Sequence, residues 1–447
     1  MTGIDSAADD ADRNWRRFVL FRVLFNSRFY YPVLAVLFLD LGLSATQYTL
    51  LNFAWAIAIV FTDLPAGVLA DRIGRKPLVV TAAVFMVLEM ILLGVAPLHG
   101  GLVLLLCCLA NRILSGMAEG MASGADEALV FDSLAERGRS KEWPLVLDQV
   151  MRWQSVGLVI AMLVGGAVYD PRFIGHLFSF FGSKARFTQG ATLRFPVYLN
   201  LITALLTLWT ALGLREPADR QSRVAPAAGN IAGAEITAWH LALRAGAWIL
   251  KTPVALFVIL AGVLMDSVIR LFLIFSSSYF RIIAIPEVAF GLIGAVMGGL
   301  GLLISPVARR MVAANSLAKN YALLAVTVLF GLLGVAARWT YGGVLFILPL
   351  ASAIMALGYM VSYYLNAIVD SSQRATVLSF KGVVFNLGYG FISLVFALVL
   401  RAVRNGGSAQ DAVARGLVFL PLWIVFGLLI CALIFRRHYK LLSAPVG

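Results

Sequence analysis

The chain has 447 residues, 61% of them hydrophobic and only 13% charged, with a net charge of +13 and a mean hydropathy of +0.89. A soluble globular protein carries about 25% charged residues, so this balance excludes a water-soluble main body and fits a chain whose solvent is lipid. The excess of basic residues falls in alternate polar segments without a nucleic-acid motif, which excludes nucleic acid as a partner and assigns the charge to membrane topology.

Residues 1–17 are acidic and then basic, with no signal-peptide cleavage pattern, and are expected to be a cytoplasmic tail before a retained span. Apolar runs of bilayer length then recur. They predict helices over 18–43, 46–66, 77–97, 101–124, 144–168 and 195–214. The segment 169–194 between the fifth and sixth spans predicts a short interfacial helix, with no task assigned. Residues 215–251 begin as a Pro/Ala/Gly-rich linker and end as AEITAWHLALRAGAWILK. That ending predicts an amphipathic helix at the inner interface. Six more helices are predicted over 252–277, 287–307, 320–337, 342–365, 379–402 and 412–435, followed by a basic tail over 436–447. The expected organisation is an N-terminal six-helix bundle (18–214), a cytoplasmic linker (215–251) and a C-terminal six-helix bundle (252–435).

Cys107, Cys108 and Cys431 lie inside apolar runs and read as small hydrophobes. The four histidines are scattered, so no metal centre is expected. With the N-terminus inside, Arg16, Arg17, Arg72, Arg75, Lys76, Arg137, Arg139 and Lys141 fall on the inner side. So do Arg309, Arg310, Lys319, Arg436, Arg437 and Lys440, as the positive-inside rule requires. The two halves look related. AGVLADRIGRK (66–76) lies without gaps on LGLLISPVARR (300–310), and each follows the second span of its half.

The turn after the second span reads Gly67-Val68-Leu69-Ala70-Asp71-Arg72-Ile73-Gly74-Arg75-Lys76. With Asp63-Leu64-Pro65 before it, this run resembles the signature of the major facilitator superfamily, in a form seen in bacterial 12-helix drug- or solute-type members. The resemblance covers nearly the whole chain. It implies an all-α polytopic membrane fold of 12 transmembrane helices in two pseudo-symmetric six-helix bundles. It also implies a gate built on Gly67, Asp71, Arg72, Gly74, Arg75 and Lys76. Gly67 and Gly74 lack a Cβ and permit close approach. Asp71 would face the start of the eleventh span, near Ser379-Phe380-Lys381, and a carboxylate is favoured at such a helix N-terminus. Arg75 would pair with Asp132, or with Asp126 as the second choice.

Asn111-Arg112-Ile113-Leu114-Ser115-Gly116 is similar to the family's Arg-x-x-x-Gly pattern on the fourth span. The Gly-Pro-x-x-Gly pattern of antiporters is absent from the fifth, where Gly157 and Gly165-Gly166 stand without a proline. In this family the first, fourth, seventh and tenth spans face a central cavity. The resemblance therefore points to Arg28, Arg112, Asp266, Arg270, Tyr359 and Tyr363 as substrate-binding residues. Charges inside a span are expensive and face a cavity or a partner. Asp148/Arg152 and Asp266/Arg270 have the i,i+4 spacing of ion pairs. Glu89, on the usually peripheral third span, reads as structural. With no histidine in the spans, a proton carrier would be a carboxylate, and Glu119 and Asp266 are the candidates. No nucleotide-binding motif or nucleophile–base set occurs, so neither an enzyme nor a cofactor is expected.

The expected function is a secondary active transporter in the bacterial inner membrane, monomeric, with both termini cytoplasmic. It would move a small organic solute, anionic or amphiphilic, by alternating access and proton-coupled export. An uptake symporter or uniporter for an organic anion or lipid-like substrate is the alternative within transport. A non-transporting sensor on the same fold is the alternative outside it.

Overall fold

The structure is a computed structural model that describes residues 2–182, 185–216, 231–370, 373–404 and 406–443. The side chains of residues 2–11, Val68, Asp71, 231–239, Leu241, Ala375 and Tyr439 lie outside that description. The described residues are helical and connected by short turns. Eleven helices among them are long and apolar enough to cross a membrane. Many of their large apolar side chains, Leu302, Phe330, Phe426 and Leu433 among them, are more than half exposed. That surface suits lipid and would be a liability in water.

The remaining predicted crossing, 18–43, is not one helix. Helix α1 (Thr2–Asn26) ends early, and a 3₁₀ turn at Tyr31–Val33 and α2 (Leu34–Asp40) follow. Pro32 explains part of the break, since it lacks an N–H and disfavours helical geometry at Tyr31. Tertiary contacts supply the rest. The Phe29 N–H donates to Asn200 Oδ1 at 2.7 Å, so a backbone group freed by the break finds a partner. Residues 2–17, the expected tail, are helical and part of α1. Asn14 anchors it by donating to Ser133 Oγ and to the Arg215 carbonyl, both at 2.9 Å, and by accepting the Arg215 N–H at 2.9 Å. Trp15 Nε1 donates to Gln149 Oε1 at 2.9 Å.

Two compact units emerge from the packing: residues 1–33 with 57–239, and residues 34–56 with 240–447. The first contains all of α1 and the later part of α3 (Ala45–Ile73), from residue 57 on. It continues with α4 (Arg75–Val95), α5 (Leu102–Ala122), α6 (Ala125–Ala135) and α7 (Trp143–Tyr169). The interfacial segment forms α8 (Pro171–Phe180) and the short α9 (Gln189–Thr192), and α10 (Phe195–Leu212) closes the unit. Asp170 caps α8 by accepting the Arg172 N–H at 2.8 Å. Glu89 and Asn111 are buried where α4 packs on α5.

The second unit takes in residues 34–56, which the sequence assigned to the N-terminal bundle. The Ala35 and Val36 N–H groups donate to Ser277 Oγ at 3.0 and 3.2 Å, and the Tyr48 hydroxyl donates to the Ile274 carbonyl at 2.9 Å. The rest is α11 (Ile231–Lys251), α12 (Pro253–Ile274), α13 (Ser276–Ile282), α14 (Val288–Ala314) and α15 (Leu317–Ala336). After these come α16 (Ile347–Ile368), α17 (Arg374–Ala402), α18 (Ala409–Gly416), α19 (Phe419–Phe435) and α20 (Tyr439–Ser443). On α11, Ala242, Ala245 and Ile249 are buried while Leu243, Arg244 and Leu250 are exposed, a helical stripe of two kinds. The linker residues 217–230 lie outside the described residues. The copy of the turn motif at 300–310 sits wholly within α14, so its resemblance to 66–76 does not extend to a turn.

Candidate functional site

Three clusters of polar side chains interrupt the apolar spans. The first surrounds the turn motif. Gly74 has φ +94°, which only glycine adopts without strain, and it starts α4. A Cβ there would lie 3.3 Å from the Glu216 carboxylate. That carboxylate caps the helix: the Arg75 N–H donates to Oε1 at 3.0 Å and the Lys76 N–H to Oε2 at 2.7 Å. The Arg75 guanidinium lies 2.6 Å from Asp132 Oδ2 in a half-exposed ion pair. Asp126, the second choice for Arg75, instead pairs with Arg22 at 2.7 Å. Gly67 differs from expectation, since a Cβ there would meet nothing within 4 Å and no close approach depends on it. Arg72 is half-buried on the last turn of α3. Asp71 is on the same turn, and its side chain lies outside the described residues.

Glu216 was not legible as a site residue, because it stands at the head of a polar linker. The only signal was an acidic residue shortly after a span. Replacing it with alanine is expected to destabilise the protein by about 0.5–2 kcal/mol, the usual range for a lost N-cap. Thermal unfolding of the purified variant checks this, and an unchanged midpoint would remove the cap from the account. Beside this cluster, outside the spans, Arg139 donates to Glu142 and to Asp12, and those hydrogen bonds raise its pKa further.

The second cluster lies deeper in the first unit. Arg28 sits in the break after α1 with its side chain almost fully buried, and it ion-pairs with Glu89 on α4, which is fully buried. Its guanidinium also lies 5.1 Å from the Phe25 ring centre. Glu89 Oε2 has no hydrogen-bond partner among the described residues. Asn111 Nδ2 donates to the Glu89 carbonyl at 2.8 Å. Arg112 is buried on α5, and Glu119, two turns on, is exposed. Glu89 therefore belongs with Arg28, a pairing that spacing along the chain could not reveal.

The third cluster is in the second unit. Arg270 Nη2 and Asp266 Oδ2 on α12 are 2.7 Å apart. Arg270 Nη1 also donates to Asn386 Oδ1 on α17 at 2.9 Å, and the guanidinium lies 5.2 Å from the Tyr389 ring centre. Lys381 is half-buried on the same helix. Tyr359 is half-buried and Tyr363 exposed on α16, and neither hydrogen-bonds to Asp266 or Arg270; Tyr363 packs edge-on against Tyr364, centres 5.3 Å apart. Asp148 and Arg152 form an exposed i,i+4 pair at 2.7 Å on α7. A further ion-pair group escaped the sequence reading. Arg281 donates to Asp40 at 2.6 and 2.5 Å and to Glu287 at 2.6 Å, tying α13 to the end of α2.

Residues 18–393 match the sequence family described as Major Facilitator Superfamily. No curated protein matches the sequence closely. Among solved structures, the chain is similar to the nucleoside transporter NupG, with a TM-score of 0.71 at 14% identity over 96% of this chain and 99% of that one. It is also similar to a bacterial homologue of the human lysosomal transporter Spinster, at TM-score 0.66 and 15% identity over 98% and 99% of the two chains. A D-xylose-proton symporter gives TM-score 0.62 at 16% identity over 93% and 97%. At such identities the likeness is one of fold alone.

Proposed function

The chain belongs to the Major Facilitator Superfamily, and on that premise we propose that it is a secondary active transporter that exports a small organic solute in exchange for protons. The solute crosses by alternating access, with both termini on the cytoplasmic side of a bacterial inner membrane. The charge asymmetry of the loops supports that orientation. The turn motif, with Asp71, Arg75 and Asp132, acts as the latch of the inner gate.

One observation carries the coupling reading. Glu119 lies on a span, is exposed, and makes no side-chain hydrogen bond or ion pair with a described residue. A proton carrier must be reachable and free to change partners, and Glu119 meets both needs. Asp266, the other candidate, is held ionised by Arg270 and can take up a proton only when that pair loosens. The similarity in fold to a D-xylose-proton symporter favours a second reading, in which the same carboxylates couple proton entry to uptake.

The test is proton movement in proteoliposomes containing the purified protein. Glu119→Gln is expected to abolish solute-dependent proton flux while leaving folding and downhill solute exchange intact. Full proton coupling in that variant would remove Glu119 as carrier.

A further inference from the structure

A cavity of about 490 Å³ lies within the second unit, between the turn that leads into α3 and the segment that joins α17 to α18. Ser44 and Gln47 line one wall, Arg401 and Arg404 another. Neither arginine has a hydrogen bond or ion pair with a described residue. The carboxylates nearest along the chain are committed elsewhere. Asp40 pairs with Arg281 at 2.5 Å, and Asp411 accepts the Ser408 N–H at 2.9 Å and its hydroxyl at 2.7 Å. The acidic side chains outside the description are Asp5, Asp9, Asp10, Asp71, Asp219 and Glu235. Asp71 stands in the last turn of the 29-residue α3, about 40 Å from its first. By span count the other five fall at the Asp71 end of the spans. Two positive groups and no negative one therefore share this space.

The bland account is that arginines at a span end reach water and stay solvated. Arg401, in the last turn of α17, fits it, but Arg404 lies beyond the helix and has no apolar layer to escape. Topology does not explain them either. With the N-terminus inside, residues 42–47 and 401–412 fall on the outer side, where the positive-inside rule calls for no arginines. Both border a recess that also offers neutral donors. The Ser44 N–H and hydroxyl donate to Gln47 Oε1 at 2.9 and 3.0 Å, which leaves Gln47 Nε2 unpartnered among the described residues. The Ala45 and Thr46 N–H groups open α3 and have no acceptor within that helix. A recess lined by one sign of charge concentrates ions of the other.

We propose that this cavity binds a phosphate ester, with the Arg401 and Arg404 guanidinium groups on the phosphate oxygens and Gln47 Nε2 as a further donor. Guanidinium forks match phosphate geometry, and two of them with an amide supply more donors than the two oxygens of a carboxylate take up. Leu43, Ala45, Ala409 and Ala412 complete the wall. The volume exceeds that of inorganic phosphate, so an organic group accompanies it. The phosphate comes either from a lipid headgroup of the outer leaflet or from a soluble ester. The site is separate from the three polar clusters and does not depend on the transport reading.

The experiment follows thermal unfolding of the purified full-length protein in detergent against probe concentration, at matched ionic strength. The soluble arm compares glycerol phosphate with glycerol, and the lipid arm compares phosphatidylglycerol with diacylglycerol. In at least one arm the phosphate-bearing probe is expected to raise the midpoint and its phosphate-free counterpart is not. A shift in the lipid arm alone assigns a headgroup, and a shift in the soluble arm shows that the ester suffices without acyl chains. Arg401→Gln and Arg404→Gln are each expected to weaken half-saturation about tenfold, equal to about 1.4 kcal/mol. Both side chains are exposed and unbonded, so the probe-free midpoint should not move. Arg436→Gln with Arg437→Gln, an exposed pair at the other end of the spans, is the control for charge alone. No shift specific to phosphate in either arm, an unchanged half-saturation in both single variants, or an equal loss in the control would each overturn the proposal.

Discussion

Glu89→Ala is expected to destabilise the protein by about 3–5 kcal/mol, because it leaves the Arg28 guanidinium buried without its counter-charge. Both side chains are essentially inaccessible, at 2% and 0% exposure, so solvent screening offers no relief. Arg28 also sits where α1 is interrupted, and its pairing holds the break against α4. The loss should appear as a lower unfolding midpoint in detergent and a lower membrane yield. Removing both charges is expected to restore much of the stability. In Arg28→Met with Glu89→Leu no buried ion remains, and such exchanges are often neutral or better. A double variant as unstable as Glu89→Ala would show that shape, not charge balance, is what the pair provides.

Gly165→Ala is expected to have the second large effect. A Cβ on Gly165 would lie 1.8 Å from the carbonyl oxygen of Phe29. That neighbour is backbone, held in turn by the Phe29 N–H to Asn200, so it cannot swing aside. Overpacking of this kind typically costs about 1–3 kcal/mol, and a backbone obstacle places this site at the upper end. Gly157→Ala should cost less, since its nearest obstacle is the Ser27 hydroxyl, at 2.6 Å. Gly175→Ala, with nothing within 4 Å, is the control. Equal unfolding midpoints for Gly165→Ala and Gly175→Ala would refute the close contact between α7 and the break.

Both effects depend on the part of the fold that the sequence showed least. The apolar runs marked most spans within a few residues, because bilayer thickness imposes length directly on hydropathy. The turn motif was legible for the same kind of reason: Gly74 needs its positive φ, and its neighbours are set by spacing. Arg75 lies against Asp132, the first of the two carboxylates that the family resemblance implied. The first span was misread as continuous. Pro32 was a local hint, but Arg28–Glu89 joins residues 61 positions apart, and no local pattern encodes such a pair. Gly165-Gly166 stood in the sequence as a departure from an antiporter motif. Packing gives Gly165 a different meaning, as the opening that admits Phe29.

The same limit governs the candidate site. The i,i+4 spacing of Asp266 and Arg270 made their pairing legible from one helix alone. Asn386, Tyr389 and Lys381 join them only through the packing of α12 on α17. Glu216 looked like linker because the residues after it are polar, and its role as a cap depends on where α10 ends relative to α4. Residues 34–56 read as part of the first bundle by order along the chain. Their hydrogen bonds to Ser277 and Ile274 tie them to the second unit instead.

The most direct test of the central claim is solute flux in proteoliposomes containing only this protein, under an imposed proton gradient. The panel should hold small organic solutes of anionic, amphiphilic and neutral kinds. The account predicts that at least one class moves faster than in protein-free vesicles, and that collapsing the gradient abolishes its accumulation. No flux above the protein-free level for any class, from a preparation shown to be folded, would contradict it.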